Sequence, residues 1–371
     1  MSINKHQIDK KRNKSFLNIL GKFLVSAIGL VAFLSALLCA ICPFINPSTF
    51  VWTSFFGLAF WIILIANILV LIILISLKAR RTLLIPILAL LLSIPGFIKS
   101  FSFGETSNEN ASIKIMTFNI SNFRDIKIPR NTPSQVEDKI INIINSCNPD
   151  IICLQESGKI DDIKAKSLAK KTNTNFFSID NKNLILSKFP LENIEFFDDD
   201  KFYNFADLQK VIIDDSTCFF LVNCHFNSFK ISKEEIEYIN DTKNLIKESD
   251  IYGKSIISKL KNGFEKRSES TKLLLENIPK DHNPIIICGD FNDTPLSYTY
   301  NQMKNNGLKD AFISTSFGIG KTYSGSLPLL RIDYFWHNSL IQPIDYKRIK
   351  QTTSDHYPLL MSFNILKQDE L

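Results

Sequence analysis

The sequence predicts an α/β domain of packed sheets and helices behind an all-α apolar region, and three observations carry that reading. No charged residue occurs from Phe23 to Leu77. Beyond Ser112, short runs rich in Ile, Val, Leu and Phe recur as strand-like segments, several of them separated by amphipathic helical patterns. Asp214-Asp215-Ser216-Thr217 reads as a turn joining two such runs directly. Hairpins mixed with helical connections point to an α/β sandwich rather than a strictly alternating βαβ fold.

Residues 1–16 form a basic N-terminus carrying Lys5, Lys10, Lys11, Arg12 and Lys14. Residues 17–100 read as a transmembrane region of three helices, 17–42, 50–77 and 82–98, with Pro43 and Pro47 dividing the first two. A spanning helix needs roughly 20 apolar residues. The third carries Pro86 and Pro95, which neighbouring helices in a membrane can accommodate. A cleaved signal peptide is excluded at the first stretch, because a second long apolar run follows it directly. The basic N-terminus and the Lys78, Arg80 and Arg81 cluster belong on the cytoplasmic side. Three spans, the favoured count, place the rest of the chain on the extracytoplasmic side of a bacterial inner membrane, whereas two would place it inside, so the third span decides the compartment.

The formal net charge of +6 belongs to this apolar region. Residues 1–100 hold ten Lys and Arg against Asp9, which leaves 33 basic and 36 acidic residues for the remainder. Proteins that grip long nucleic acids carry a basic footprint, so no stable nucleic-acid partner is inferred. Of seven cysteines, Cys153, Cys224 and Cys288 sit inside apolar runs as small hydrophobes, and the soluble part has no zinc-type pair.

Residues 101–111 read as a polar linker into a domain spanning 112–371. Ile113–Ile120 is its first strand. Ser134-Gln135-Val136-Glu137 has the form of a capping box, opening a helix whose apolar face is Val136, Ile140, Ile143, Ile144 and Cys147. Pro149-Asp150 ends that helix and leads into the strand Ile151–Leu154. A helix at Asp161–Lys171 follows, then strands at Asn183–Ser187, Leu208–Ile213 and Phe219–Cys224. Residues 228–268 are a polar, Lys- and Glu-rich insertion before a helix at Glu269–Asn277. Pro284–Cys288, Arg331–Trp336 and Pro358–Ile365 supply the remaining strands. A dinucleotide fold lacks its Gly-rich loop here.

Polar residues recur where these strands end: Asn119, Glu156, His225, Asp290, Asn292, Asp333 and the pair Asp355-His356. Each alone reads as a turn residue or a surface histidine, but their recurrence on so many strand ends suggests one rim where distant positions converge. Glu156, Asp290 and Asn292 are hard oxygen ligands of the kind Mg²⁺ or Mn²⁺ prefers. His225 and His356 can donate to phosphate oxygens or move protons near neutral pH. Asp333 suits the role of orienting an imidazole. No Ser or Cys stands out as a nucleophile, so attack by water is the economical chemistry.

Six blocks, in order and rough spacing, resemble the endonuclease/exonuclease/phosphatase superfamily over nearly all of 112–366: Ile115 to Ile120, Asp150 to Glu156, Asn223 to His225, Gly289 to Asn292, Arg331 to Tyr334, and Ser354 to His356. The resemblance implies a four-layer α/β/β/α sandwich with its site on one rim, and a metal-dependent hydrolase acting on phosphate esters. Carried over by position, Glu156 is the principal metal ligand with Asn119, Asp290 and Asp355 beside it. His225 and Asn292, with Asn119, bind the scissile phosphate. Asp290 orients or deprotonates water, and His356, paired to Asp333, is base or phosphorane stabiliser, a choice the resemblance leaves open. The bilayer is the expected partner through the N-terminal helices, and the expected substrate is a nucleic acid, a lipid headgroup or a small phosphorylated metabolite. A catalytically inactive scaffold is the competing class, and the completeness of the motif set speaks against it. The chain departs from the family in lacking a glycine before Ser187-Lys188 and in carrying the 228–268 insertion.

Overall fold

The computed structural model describes residues 5–107, 109–125, 132–180, 182–194, 205–232, 234–235, 238, 251–279, 283–325 and 329–366. Most of the 228–250 part of the expected insertion lies outside the described residues.

The N-terminal region is helical: α1 (Lys5–Ile41), α2 (Pro47–Phe50), α3 (Trp52–Leu58), α4 (Phe60–Ser76) and α5 (Leu84–Ser100). Helices α1, α4 and α5 pack on one another. Inside that bundle the buried Asn67 amide donates to the Ala32 carbonyl at 3.2 Å, tying α4 to α1. The outward faces are apolar, with Phe23, Val31, Ile62, Ile72 and Leu91 exposed, a surface that water disfavours. The stretches Ile19–Phe44 and Arg80–Ser100 are each long and apolar enough to cross a membrane. The expected second span is not one straight helix: α3 and α4 meet at 69°. The break sits beside a contact distant in sequence: a Cβ on Gly57 would lie 2.8 Å from the Leu296 carbonyl oxygen. That close approach fixes the chain where α3 turns into α4. The expected linker is also more structured than a tether, since β1 (Ser102–Phe103) pairs antiparallel with β11 (Phe317–Gly318).

The domain proper begins with β2 (Ile113–Asn119). Helix α6 (Pro133–Cys147) follows, and its cap differs from the sequence expectation. Thr132 is the N-cap and exchanges hydrogen bonds with Gln135, two residues upstream of the expected Ser134 and Glu137. Pro133 explains the shift, since a proline is preorganised for the first helical position and needs no N–H partner there. Glu137 instead accepts from Lys171 at 2.9 Å and from Lys164, stapling α6 to α7 (Asp162–Lys171). Helix α6 ends at Asn148 in the left-handed region, φ 46°.

Strands β3 (Ile151–Gln155), β4 (Phe176–Asp180) and β5 (Asn183–Ser187) join β2, β13 (Ile341–Arg348) and β14 (Leu359–Ile365) in one sheet, ordered β13-β14-β2-β3-β5-β4. A second sheet runs β10-β12-β9-β8-β7-β6, from Lys309–Asp310, Asp333–His337, Ile285–Asp290, Cys218–His225, Ala206–Ile212 and Leu191–Asn193. Each sheet contains one parallel pair, β2 with β3 and β8 with β9.

Three apolar clusters fix the layers. Ile115, Ile151 and Ile185 of the first sheet meet Phe219, Ile286 and Phe335 of the second. On the outer face of the first sheet, Met116 and Phe118 meet Val136 and Ile140 of α6 and Leu168 of α7. Outside the second sheet, Val222 and Ile287 meet Leu274 of α8 (Ile251–Asn277) and Met303 of α9 (Tyr298–Asn305). The strands are therefore buried on both faces, which is why they read as continuous apolar runs rather than alternating ones. The chain forms the expected α/β/β/α sandwich. The helix expected at Glu269–Asn277 is the last third of α8, whose earlier turns come from the polar segment.

Candidate active site

The two parallel pairs put the ends of β2, β3, β8 and β9 on one rim. The registers align Asn119 with Gln155 and His225 with Asp290, while the antiparallel β12 sets Asp333 opposite Asp290. Gly289 permits the pairing that sets His225 beside Asp290. Its φ is +131°, and a Cβ there would sit 2.0 Å from the Cys224 carbonyl oxygen, so only glycine lets β9 pass β8 this closely. Below the rim the sheets are bridged by polar groups. The buried Gln155 amide donates to Asn223 Oδ1 at 2.6 Å and to Thr117 Oγ1 at 2.9 Å, and Asn223 donates to the Leu154 carbonyl at 3.1 Å.

Several rim residues other than glycine adopt left-handed backbone, among them Ser121, Asn122, Phe123, Glu156 and Asn292. Such conformations cost on the order of 1 kcal/mol each and persist where the surroundings over-determine them. Here the surroundings are the side chains of the rim. Asn119 Nδ2 donates to Asp290 Oδ2 at 3.0 Å and to Glu156 Oε1 at 3.3 Å. Asn122 Nδ2 donates to the other Glu156 oxygen at 3.0 Å. His225 Nε2 stands 3.4 Å from Glu156 Oε1 and 4.0 Å from Asp290 Oδ2. Asn292 donates through its backbone N–H to Asp290 Oδ1 at 2.8 Å, and through its amide to Asp290 Oδ2 at 3.1 Å and the Phe226 carbonyl at 3.0 Å.

On the opposite side, His356 Nδ1 faces both oxygens of Asp333 at 3.0 and 2.9 Å, and its Nε2 lies 3.5 Å from Asp290 Oδ2. Asp333 is itself fixed, because its N–H and that of Ile332 both donate to the buried Thr322 hydroxyl. Tyr323 bridges to His356 through the backbone, and the two rings meet edge-on at 5.5 Å. Asp355 stands slightly apart. It accepts from Ser121 Oγ at 2.6 Å and Ser354 Oγ at 3.2 Å, and Ser354 also donates to the Asn119 carbonyl.

The electrostatics follow from burial and pairing. Burial disfavours charge on Glu156, but the His225 and Asn119 contacts outweigh it and hold the carboxyl down to about 2. Burial raises Asp290 above the ordinary carboxylate range, and neighbouring Asp333 adds to the rise against the opposing pull of His356 and His225. His356 goes the other way for a histidine in an apolar site: burial lowers it, but Asp333 and Asp290 carry it up to about 10. The rim thus joins an ionised carboxylate, a poised carboxylate and an imidazolium.

Glu156 and Asp290 converge on one neutral amide, Asn119 Nδ2. A half-buried carboxylate and a buried one meeting at one amide, on the open rim, offer the hard oxygen donors that suit a divalent cation. Asp290, Asp333 and His356 also place one ligand atom each within 4.8 Å of one another. The double contact of His356 Nδ1 with Asp333 marks that trio as a charge-paired histidine rather than a separate cation site. The sequence reading singled out neither the supporting layer of Ser121, Asn122, Gln155, Thr322 and Ser354 nor the buried Arg267. Arg267 lies between the loops that follow β8 and β9, donating to the Asn227 carbonyl at 3.0 Å and standing 3.4 Å from Asp293. Ser121, Asn122, Thr322 and Arg267 lie in loops, a short turn and a helix without a repeating pattern. Gln155 and Ser354, like Asn223, fall within the family-like blocks, but no role attached to them there.

The arrangement belongs to a known type. Residues 116–356 match the endonuclease/exonuclease/phosphatase family, whose members are generally hydrolases of phosphoester bonds and typically use divalent metal ions. Residues 21–101 match a family described only as a domain of unknown function. No curated protein matches the chain. Among solved structures, it is similar to a family protein from Bacteroides vulgatus, with 16% identity, 68% of this chain and 98% of that one covered, and a TM-score of 0.47. A Beutenbergia cavernae DSM 12333 member gives 13%, 69%, 72% and 0.46. The human Nocturnin catalytic domain with bound sulfate anion gives 16%, 70%, 95% and 0.43. With the family profile spanning the rim from Met116 to His356, this chain belongs to the endonuclease/exonuclease/phosphatase family.

Proposed function

We propose that this chain is a membrane-anchored, divalent-metal-dependent phosphoesterase that hydrolyses its substrate by direct attack of water. The observation that carries the reading is convergence: Asn119, Glu156, His225, Asp290, Asn292, Asp333 and His356 come from six separate segments and touch in one chain of contacts. Glu156, with Asn119, Asp290 and Asp355, would hold Mg²⁺ or Mn²⁺. Such an ion spreads the negative charge on phosphoryl oxygens and lowers the pKa of bound water.

The remaining roles fall to this chain's own groups. His225 and Asn292 donate to the phosphate oxygens. Asp290, raised but still ionised at neutral pH, orients the water and takes its proton. The water oxygen forms the new bond to phosphorus, and the ester oxygen leaves with the electron pair of the broken bond. His356, held as an imidazolium by Asp333, faces the charge that accumulates. Its high pKa favours this electrostatic role and leaves the base role to Asp290. The N-terminal helices span the membrane three times, with 112–371 outside the cytoplasm.

The test is hydrolysis of bis(4-nitrophenyl) phosphate by the purified full chain with Mg²⁺, with Mn²⁺ and with chelator. Activity should require metal, and Asp290→Ala and His356→Ala should each lose most turnover, on the order of 10²–10³ in rate, while keeping the wild-type circular dichroism spectrum. Near-native activity in both variants would rule the assignment out.

A further inference from the structure

Several contacts between the helical region and the catalytic domain fall within a few residues of the rim. Cys42 Sγ donates to the Leu296 carbonyl at 3.0 Å, and Leu296 packs with Cys39 and Phe60. Leu296 follows Asn292 by four residues, so the two lie at most about 14 Å apart along the chain. Arg331, two residues before Asp333, donates to the Lys99 carbonyl at 2.9 Å where α5 ends. Strand β11, whose partner β1 follows α5 directly, leads within five residues to Tyr323 and its bridge to His356. Phe229, four residues after His225, meets Phe264 of α8 edge-on, and Phe264 in turn meets Phe55 of α3. Arg267 lies against that cluster, 4.2 Å from the Phe229 ring.

At the same junction the molecule carries exposed aromatic rings. Phe103 is 67% exposed and Phe317 73%. They form a continuous set with Phe97 and Phe101, at centroid separations of 4.8–6.4 Å. Across the bundle, Phe44, Phe50 and Trp52 are also exposed, with Lys99 over Phe44 and Lys261 over Trp52. A tryptophan and lysines at the ends of apolar helices mark a membrane–water interface, and the exposed Phe rings beside them are better covered by lipid than by water. Phe317 belongs to the catalytic domain, so the set continues from the anchor onto the domain itself.

We propose that the edge carrying Phe101, Phe103 and Phe317 sits in the headgroup layer of the bilayer, holding the rim against the membrane so that the site takes its phosphoester from a lipid-borne substrate. This rests on the phosphoesterase reading and on the helices spanning a bilayer. It assigns the Phe103–Phe317 contact a role in reaching substrate, since exposed rings gain little by facing water. A chain of net negative charge in its catalytic part also offers poor electrostatic capture of a nucleic acid.

The experiment uses the full chain in phosphatidylcholine proteoliposomes with Mn²⁺ and two fluorogenic phosphodiesters that share a leaving group. One carries a diacyl tail and the other does not. The wild type should turn over the tailed ester at least tenfold faster. The double variant Phe103→Ser/Phe317→Ser should lose that advantage while its rate on the untailed ester stays within twofold, which also shows that it folds. Equal wild-type rates on the two esters would overturn the proposal and leave the phosphoesterase reading standing. So would an advantage that survives the double substitution, or faster cleavage of a single-stranded oligonucleotide than of the tailed ester. Hydrolysis of neither ester nor oligonucleotide would sink both.

Discussion

Replacing Asp333 by Asn isolates the part of the site that keeps His356 charged. Both Asp333 oxygens lie within 3.0 Å of His356 Nδ1, and the imidazole stands at about 10 where an ordinary histidine titrates at 6.5. At 1.36 kcal/mol per pKa unit, that rise corresponds to about 5 kcal/mol favouring the imidazolium. Asp290 at 3.5 Å supplies part of it, so losing the Asp333 charge should remove about 2–4 kcal/mol. If His356 acts as a cation, its pKa then falls to about 7–8.5, and kcat/KM on a phosphodiester should drop by up to about tenfold at pH 8 and about a hundredfold at pH 9. The sign of the pH effect is fixed. A raised histidine pKa contributes stability that is complete below 6.5 and is lost as pH rises through about 10. The wild type should therefore keep its charged His356 across pH 5.5–9, while the variant sheds it within the neutral range. The variant's catalytic deficit should shrink toward pH 5.5 and widen toward pH 9, whereas its stability deficit should be largest near pH 5.5 and shrink as pH rises toward 10. The assay is a kcat/KM profile over that range with saturating Mn²⁺, beside thermal melts at the same pH values. A variant whose profile overlays the wild type within threefold would refute the reasoning.

Three further outcomes follow from the packing. Gly289→Ala should leave little folded protein in a thermal melt, because its Cβ meets the Cys224 carbonyl at 2.0 Å at a φ of +131°. Glu137→Gln should lower stability by about 1 kcal/mol at pH 7, in keeping with a partly exposed pair of salt bridges. Burial opposes charge on Glu137, but Lys164 and Lys171 hold its carboxyl below the usual value, so the difference should vanish as pH falls below that depressed pKa. Arg267→Met removes the group between the loops that follow β8 and β9. It should raise KM or lower kcat for any phosphodiester by about tenfold, as expected when a positioning contact is lost, without changing the metal requirement.

The strands were legible because sheets buried on both faces leave long apolar runs, and the rim was legible because its residues follow those runs directly. Glu156, His225, Asp290 and His356 could each be located by counting from a strand end. The features that escaped are those set by individual contacts that no strand or helix period encodes. Thr132 became the cap because Pro133 displaced the start of the helix. The break between α3 and α4 depends on Gly57 meeting Leu296, a residue more than two hundred positions away, and no window along the chain reveals it. The polar segment before Glu269 continues α8 because its apolar positions are sparse and its partners, such as Glu235 for Ser255 and Lys259, are contributed from outside the helix.

The Gln155–Asn223 bridge has a consequence for how the molecule would fail. Asn119 and Glu156 ride on one sheet, while His225, Asp290 and Asp333 ride on the other. The apolar layer between them is directionless and would tolerate a small slide of one sheet over its neighbour. The bridging amides, with donor and acceptor 2.6 Å apart, would not. They act as a dowel between two plates, and the first thing shear would misalign is the gap in which the ester must sit. Under gentle denaturant, turnover should therefore disappear before either sheet begins to unravel.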